Sequence, residues 1–324
     1  MPNIITHVLF GDEVLESLSE DKGELFEGRK QLLEIGANGP DFLFFHGMNQ
    51  KNFWKHTLLR KVGNQAHSHS INAFYESALA SIKKEEDEEV RNDMIVYLCG
   101  HLCHWALDSV THPYIFYRTG NCKGQSAWWH HRFESLIDAI MLKVKRDCTI
   151  RDYKAYEICE ASLEQARAIA RIYVPVIKNI YKTDVRPYQI LESLNDWCFI
   201  QKVLYDPEAA KFEALEKIEA PLNATSFLSG YFVPNEPEDP FDTMNLLHKK
   251  WCHPCDDTVV STESFFDLYD RARSKALNAI RLLFIALEDE KNEGDFIHFI
   301  NNQSYDTGLS TLEKMQYFDE VYKK

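Results

Sequence analysis

The sequence has few of the residues that interrupt helices. Its 324 residues include 13 glycines and 11 prolines, and strand-like alternation of polar and apolar residues is scarce. Apolar residues recur instead at three- and four-residue spacing, for example at Ile71, Phe74, Tyr75 and Ala78, which is typical of amphipathic helices. The sequence therefore predicts an all-α protein. Because no repeat and no clear linker divides the chain, we expect a single domain over residues 1–324.

The chain also lacks a long hydrophobic run and an excess of basic residues. The best candidate for a membrane span, Ile280 to Leu287, is too short and is interrupted by Arg281. Fifty acidic residues outnumber 36 lysines and arginines, for a net charge of −14. We expect no binding of duplex nucleic acid, because sequence-independent binding needs a cationic face. Any attraction for phosphate must be local, and a bound metal ion is one source of it.

A basic leader is missing as well. Gly11, Asp12 and Glu13 cut short the apolar stretch of the first ten residues, so we expect no secretory signal and a cytoplasmic location. The eight cysteines are then predicted to be reduced thiols rather than disulfides. The CHPC motif from Cys252 to Cys255 resembles half of a zinc knuckle, but no second Cys/His pair lies at zinc-finger spacing, which disfavours a metal site there.

Helical periodicity predicts a series of helices joined by short turns. The segment 221–254 contains three closely spaced prolines and is predicted to be a long loop. The last fifteen residues are expected to form a short helix or a frayed tail, and the chain after residue 150 is expected to complete the core and wall a cleft. The predicted helices cover, to within a few residues, 64–84, 90–111, 127–145, 151–181, 187–204, 207–220 and 261–289.

Histidine is distributed very unevenly along the chain. Ten of the 13 histidines precede residue 132, where an even distribution would place about five, and imidazole is the commonest metal ligand. The early part of the chain therefore indicates metal binding. The ten residues are His7, His46, His56, His67, His69, His101, His104, His112, His130 and His131.

The strongest motif is GHLCHWALDSVTHP at residues 100–113. His104, Asp108 and His112 are spaced four and four, so that one face of a helix presents nitrogen, oxygen and nitrogen ligands together. Pro113 disfavours helical geometry at the residue before it. We therefore expect the helix to end near His112, and this side chain to turn toward a different ion.

Five further ligand-type residues accompany this motif. His130 and Glu134 repeat the four-residue spacing on the next helix, and two facing helices can together complete a metal site. Asp41 is an isolated carboxylate before an apolar run, which is costly to bury unless a cation meets it. His67 is predicted to open its helix, and His7 lies near the chain start.

Each of these side chains alone is compatible with an ordinary position in the core or on the surface. Taken together they need a partner, because buried polar groups are almost always satisfied. His69 remains an alternative ligand to His67. A core or supporting role is expected for His46, His56, His101 and His131, and no site role for His248, His253 and His298.

The ordered set resembles the zinc-dependent phospholipase C family, and it shares the pattern of fungal single-strand zinc nucleases that have the same core. That pattern is an N-terminal histidine, Pro-Asp before an apolar run, a histidine opening a helix, His-x-x-x-Asp with a nearby histidine, and His-x-x-x-Glu. The resemblance covers about the first 140 residues. The matching residues are His7, Asp41 after Pro40, His67, His104, Asp108, His112, His130 and Glu134.

The resemblance implies an all-helical bundle with two or three zinc ions, and a role as general base for Asp41. Secreted members use the free amine of an N-terminal tryptophan as a ligand, whereas this chain begins Met1-Pro2. Either the amine of one of these two residues replaces it, or the second zinc is weak or absent. The step from Asp108 to His112 is also shorter than in the secreted lipases. The implied ligand sets are Asp41, His67, His104 and Asp108 for one ion; Asp108 and His7 for a second; and His112, His130 and Glu134 for a third.

A zinc-dependent hydrolase of phosphoesters is the implied activity, most specifically removal of a phospholipid head group by metal-activated water. The alternatives are a single-strand nuclease or other phosphodiesterase, and a metal-stabilised protein without turnover. We expect at most peripheral contact with a membrane. Seven aromatic residues are candidates for the lining of a lipid or choline pocket, although aromatic side chains are more often ordinary core residues. The seven are Phe42, Phe44, Phe45, Trp54, Tyr114, Phe116 and Tyr117.

Overall fold

The computed structural model describes residues 4–49, 57–219 and 228–323, without the side chains of residues 19–21. It confirms the all-α prediction, because only one small β-hairpin accompanies the helices within these ranges. The hairpin consists of β1 (Trp251–His253) and β2 (Asp256–Ser261). The helices are α1 (Ile4–Phe26), α2 (Lys30–Gly36), α3 (Leu58–Ala66), α4 (Ile71–Lys84), α5 (Glu88–Thr119), α6 (Gln125–Arg146), α7 (Leu163–Tyr181), α8 (Pro187–Leu204), α9 (Ala210–Glu219), α10 (Phe265–Glu288) and α11 (Glu293–Ile300).

Helix α5 is the centre of the molecule. It begins where the side chain of Asp87 accepts a hydrogen bond from the backbone N–H of Val90, which satisfies an otherwise free donor of the first turn. Helices α1, α2, α6, α7 and α10 all pack against α5, and almost every residue from Val96 to Thr119 is buried. The acidic run before it is thus the solvated start of a helix.

Two glycines let α2 and α5 approach closely. A Cβ atom at Gly100 would lie 2.2 Å from the carbonyl oxygen of Leu33, and one at Gly36 would lie 2.3 Å from that of Tyr97. No side chain fits at either position, so the two backbones are in direct contact. This contact brings the turn after α2, which contains Asp41, against the middle of α5.

The prediction that α5 ends near His112 is wrong, since the helix continues through Pro113 to Thr119. A proline inside a helix leaves the carbonyl four residues earlier without its usual donor, and here that carbonyl belongs to Ser109. The C-terminal loop packs against this point, where a Cβ at Gly308 would lie 2.3 Å from the Ser109 carbonyl oxygen. Because tertiary packing stabilises the helix past the proline, His112 stays on the same face as Asp108.

The helix predicted over residues 64–84 is also wrong, because two helices, α3 and α4, occupy this region. Ser70 has a left-handed backbone (φ 61°), which a continuous helix cannot contain. His67 therefore follows the end of α3 instead of opening a helix.

The remaining differences are local. Helix α7 begins only at Leu163, where Ser162 and Gln165 form a reciprocal capping box. Helices α1, α2 and α11 and the β-hairpin were not predicted, and the C-terminal tail holds one short 3₁₀ turn at Val321–Lys323. In the described part of the chain all eight cysteines are free, and no helix combines the length and the apolar character that crossing a membrane requires.

Candidate metal centre

The structure brings all eight predicted ligands together at the centre of the bundle. They come from five places: α1, the 3₁₀ turn after α2, the end of α3, α5 and α6. In each of three groups the potential donor atoms lie within 4.8 Å of one another. The groups are His7, His104 and Asp108; Asp41, His67 and His104; and His112, His130 and Glu134.

Asp108 is the common centre of these groups. Its Oδ1 lies 3.3 Å from Nε2 of His7 and 3.7 Å from Nε2 of His112, and its Oδ2 lies 3.2 Å from Nε2 of His104. The carboxylate is fully buried. One anion is thus surrounded by three imidazoles, two of them from its own helix at the predicted four-residue spacing.

Asp41 and His67 complete the second group on the other side of His104. Oδ1 of Asp41 lies 2.9 Å from Nε2 of His67 and 3.6 Å from Nε2 of His104. Nδ1 of His67 lies 2.8 Å from the carbonyl oxygen of Gly63, which can only accept, so Nδ1 carries a proton and Nε2 is the nitrogen that faces the carboxylate of Asp41. His69 is exposed and contacts the Ser68 hydroxyl, so the structure places His67, not His69, at the site.

The third group joins α5 to α6. Oε1 of Glu134 lies 3.0 Å from Nε2 of His130 and 3.5 Å from Nε2 of His112. The other nitrogen of each imidazole contacts an oxygen, since Nδ1 of His130 is 3.2 Å from Oγ1 of Thr119 and Nδ1 of His112 is 2.9 Å from the carbonyl of Tyr305. Such outer contacts orient metal-binding imidazoles so that Nε2 points inward.

The donor set fits a divalent cation. Among the described residues, both ring nitrogens of His7 and of His104, both oxygens of Asp108 and Nε2 of His112 are buried without a hydrogen-bond partner. Buried polar atoms are hydrogen-bonded in the great majority of cases, so this concentration in one place requires another partner. Imidazole nitrogen and carboxylate oxygen are the ligand types that zinc prefers.

The electrostatics also favour a cation. Burial raises the pKa of Asp108, but the imidazoles of His104, His112 and His7 outweigh it and hold this pKa well below the usual value. Burial likewise opposes a low pKa at Glu134, and the nearby His130 nevertheless keeps it low. Burial lowers the pKa of His104 strongly and that of His130 to about 4. Burial opposes a high pKa at His67 and His112 as well, yet Asp41 and Asp108 raise the pKa of these two imidazoles. The carboxylates are thus held as anions, and a bound cation would take the place of the protons on these two rings.

Asp138 supports the site and was missed by sequence reasoning. This fully buried residue of α6 accepts hydrogen bonds from the backbone N–H groups of Ile5 and Thr6 and from the Thr6 hydroxyl. It thereby caps the first turn of α1 from a different helix and holds the residue before His7. Its spacing of four from Glu134 places it on the same face of α6, and this is the signal by which it was recognisable.

The other early histidines have supporting or separate positions. Nε2 of His131 lies 2.7 Å from the hydroxyl of Tyr231, and its Nδ1 is 3.6 Å from Glu134. His101 stacks on Phe74 and contacts the Tyr75 hydroxyl. Outside these metal groups, Nε2 of His46 lies 3.8 Å from Glu192. His56 falls outside the described residues, as do Trp54 and the Met1–Pro2 amine expected to act as a ligand.

The aromatic candidates divide into two classes. Phe44 and Phe116 border the metal groups, with ring centroids 5.1 Å from His67 and 4.7 Å from His130. Phe42 and Tyr114 are buried in the core. Phe116 is itself 7% exposed, whereas Phe44 is partly exposed, so Phe44 is the better candidate for contact with an apolar part of a substrate. In the described chain, no cysteine joins a metal group, and Nε2 of His253 contacts a backbone carbonyl.

Comparison with known proteins gives one match. The family model described as zinc dependent phospholipase C matches residues 6–183, more than half of the chain, and this range contains all eight residues of the three groups. Comparisons with curated proteins and with solved structures found no match.

Proposed function

Since the chain belongs to the zinc-dependent phospholipase C family, we propose that it removes the phosphorylated head group of a phospholipid and releases a diacylglycerol. The family and the three His/Asp/Glu groups support a zinc-dependent phosphoester hydrolase. The observation that carries the proposal is that the groups adjoin one another: the Asp108 carboxylate contacts His104 with one oxygen and His112 of the third group with the other. Ions bound in adjoining groups would be able to act on one phosphate.

The three groups together would hold two or three zinc ions. When bound, zinc acidifies water and neutralises the charge on phosphoryl oxygens. The protein residues supply the rest of the chemistry. His67, oriented by the Gly63 carbonyl, fixes Oδ1 of Asp41, and the second oxygen of Asp41 can then take a proton from the attacking water.

Asp41 is the best placed of the three carboxylates for this role. It is 5% exposed, whereas Asp108 is fully buried and Glu134 is 1% exposed. In the proposed reaction a water oxygen forms a bond to phosphorus and the bond from phosphorus to the glycerol oxygen breaks. The proton taken by Asp41 is returned to that glycerol oxygen, so Asp41 ends the cycle as a carboxylate.

The apolar border of the site supports a lipid over a nucleic acid as substrate. Phe44 and Phe116 lie beside the metal groups, and the net charge of −14 disfavours a polyanionic strand. The cytoplasmic location and the single domain expected from the sequence stay predictions.

The test is a comparison of zinc content and hydrolysis in four proteins: the wild type, Asp108→Asn, His130→Ala and the control His69→Ala. We expect the first two variants to lose zinc and activity toward a short-chain phosphatidylcholine, and the control to keep both. Cleavage of single-stranded DNA or a simple phosphodiester in place of the lipid would favour the other phosphodiesterases. Full zinc content without any hydrolysis would favour a structural metal site, and unchanged zinc in both site variants would refute the ligand assignment.

A further inference from the structure

A rigid loop on the surface exposes two adjacent leucines. Leu246 and Leu247 are 58% and 69% exposed, and in the neighbouring hairpin Val259 and Val260 are 56% and 42% exposed. Single apolar residues on a surface are ordinary, whereas two adjacent exposed leucines on one loop mark a candidate binding surface. We call residues 246–250 together with Val260 the leucine loop surface.

The loop is held in shape by its own hydrogen bonds. Asp242, Asn245 and His248 all have left-handed backbones, with φ between 47° and 52°. The Asp242 carboxylate accepts a bond from the N–H of Leu246, and the side chain of Asn245 donates to the carbonyls of Lys249 and Glu263. The leucines cannot turn back into the core without breaking these bonds, so their exposure is built into the loop.

The loop is also attached to the helix that carries the metal ligands. The hydroxyl of Tyr114 donates to the carbonyl of Thr243 over 2.9 Å, and Nη2 of Arg118 donates to the carbonyl of Phe241 over 2.7 Å. Tyr114 lies two residues after His112 on α5. A partner bound at the leucine loop surface would therefore be held in a fixed orientation relative to the metal centre.

Two lysines, Lys249 and Lys250, follow the leucines after His248. Nζ of Lys249 lies 3.7 Å from Oδ2 of Asp242, with which it forms an ion pair. The strand register pairs Trp251 with Ser261 and Cys252 with Val260, so alternation places Lys250 on the same face as Val260. Asp256 and Asp257 lie at the other end of the hairpin, away from the loop. Adjacent lysines beside exposed leucines are a local exception in a chain with a net charge of −14.

We propose that the leucine loop surface docks on a phospholipid bilayer. The leucines would enter the boundary between head groups and acyl chains, while the ammonium groups of Lys249 and Lys250 would meet lipid phosphates. This is the arrangement of apolar and basic residues that a membrane interface selects. The proposal rests on the proposed function, in which the substrate lies in a bilayer, and it adds how the protein reaches that substrate.

The test measures vesicle binding and catalysis separately on the full-length, zinc-loaded protein. The probes are vesicles of phosphatidylcholine, with and without a minor fraction of phosphatidylserine, and a soluble short-chain phosphatidylcholine. We expect the double variant Leu246→Ser/Leu247→Ser to bind both kinds of vesicle at least about tenfold more weakly and to hydrolyse the soluble substrate normally. Lys249→Glu/Lys250→Glu should also weaken binding, with the larger loss on vesicles that contain phosphatidylserine.

The matched control is Leu312→Ser, which replaces a leucine of similar exposure (68%) on the C-terminal tail. Equal binding by the leucine double variant and the wild type, equal losses in double variant and control, or no vesicle binding by the wild type would each overturn the docking proposal. A shift from dimer to monomer in the double variant would assign the surface to a second copy and overturn it too. Leucine-dependent vesicle binding without hydrolysis of any lipid would refute the proposed function and leave docking standing.

Discussion

Replacing Asp138 by asparagine tests whether α1 is held in place from α6. Oδ2 of Asp138 accepts the N–H of Ile5 over 3.0 Å, and Oδ1 accepts the N–H of Thr6 over 2.8 Å and its hydroxyl over 2.5 Å. An asparagine keeps the shape but replaces one oxygen with an NH₂ group, which faces a backbone N–H. One donor of the first turn of α1 is then buried without an acceptor.

The expected loss follows from that count. Burying one unsatisfied donor costs about 1–3 kcal/mol, so we expect the free energy of unfolding of the zinc-free protein to fall by about 2 kcal/mol in Asp138→Asn. Because His7 directly follows Thr6, the same change should displace the imidazole that faces Asp108. Zinc should be lost first from the group of His7, His104 and Asp108.

The assay combines urea unfolding with measurement of bound zinc under increasing chelator. Thr6→Val is the matched variant, since it removes one of the three bonds from the α1 side and leaves α6 unchanged. The effects of the two changes should not add, because they affect the same contact. Unfolding within about 0.5 kcal/mol of the wild type, the range of ordinary surface substitutions, together with unchanged zinc retention would refute this reasoning.

Three other substitutions probe the packing around the site. At Gly39, with φ 55°, a Cβ would lie 2.2 Å from a ring carbon of His104. The Gly39→Ala variant should therefore bind less zinc than the wild-type protein. Gly100→Ala should separate α2 from α5 and lower the free energy of unfolding by about 3 kcal/mol, measured in urea; stability equal to the wild type would contradict the close backbone contact. Burial lowers the pKa of His101 to about 3, below its unfolded value, so the unfolded state binds more protons in acid and the stability of the zinc-free protein should fall as the pH drops from about 6.5 toward 3. His101→Phe should flatten this loss, and an unchanged pH profile of unfolding would count against a neutral buried imidazole.

The sequence by itself determined the features that depend on local spacing. Residues four apart on a helix share a face whatever surrounds them, so His104, Asp108 and His112 were predictable as one set, as were His130 and Glu134. The prevalence of helix followed in the same way from apolar periodicity and few glycines and prolines.

Tertiary structure decided whatever depends on contacts between distant segments. Asp41 reaches His104 only because Gly36 and Gly100 let two backbones touch, and no local pattern states which helices cross. Helix α5 passes Pro113 because the C-terminal loop packs near the Ser109 carbonyl, nearly two hundred residues away in sequence. His67 faces the site because α3 ends at Ala66 and the Gly63 carbonyl holds the His67 ring, whereas His69 lies in the exposed turn before α4. Local spacing sets which side chains share a helix face, whereas long-range packing sets which faces meet.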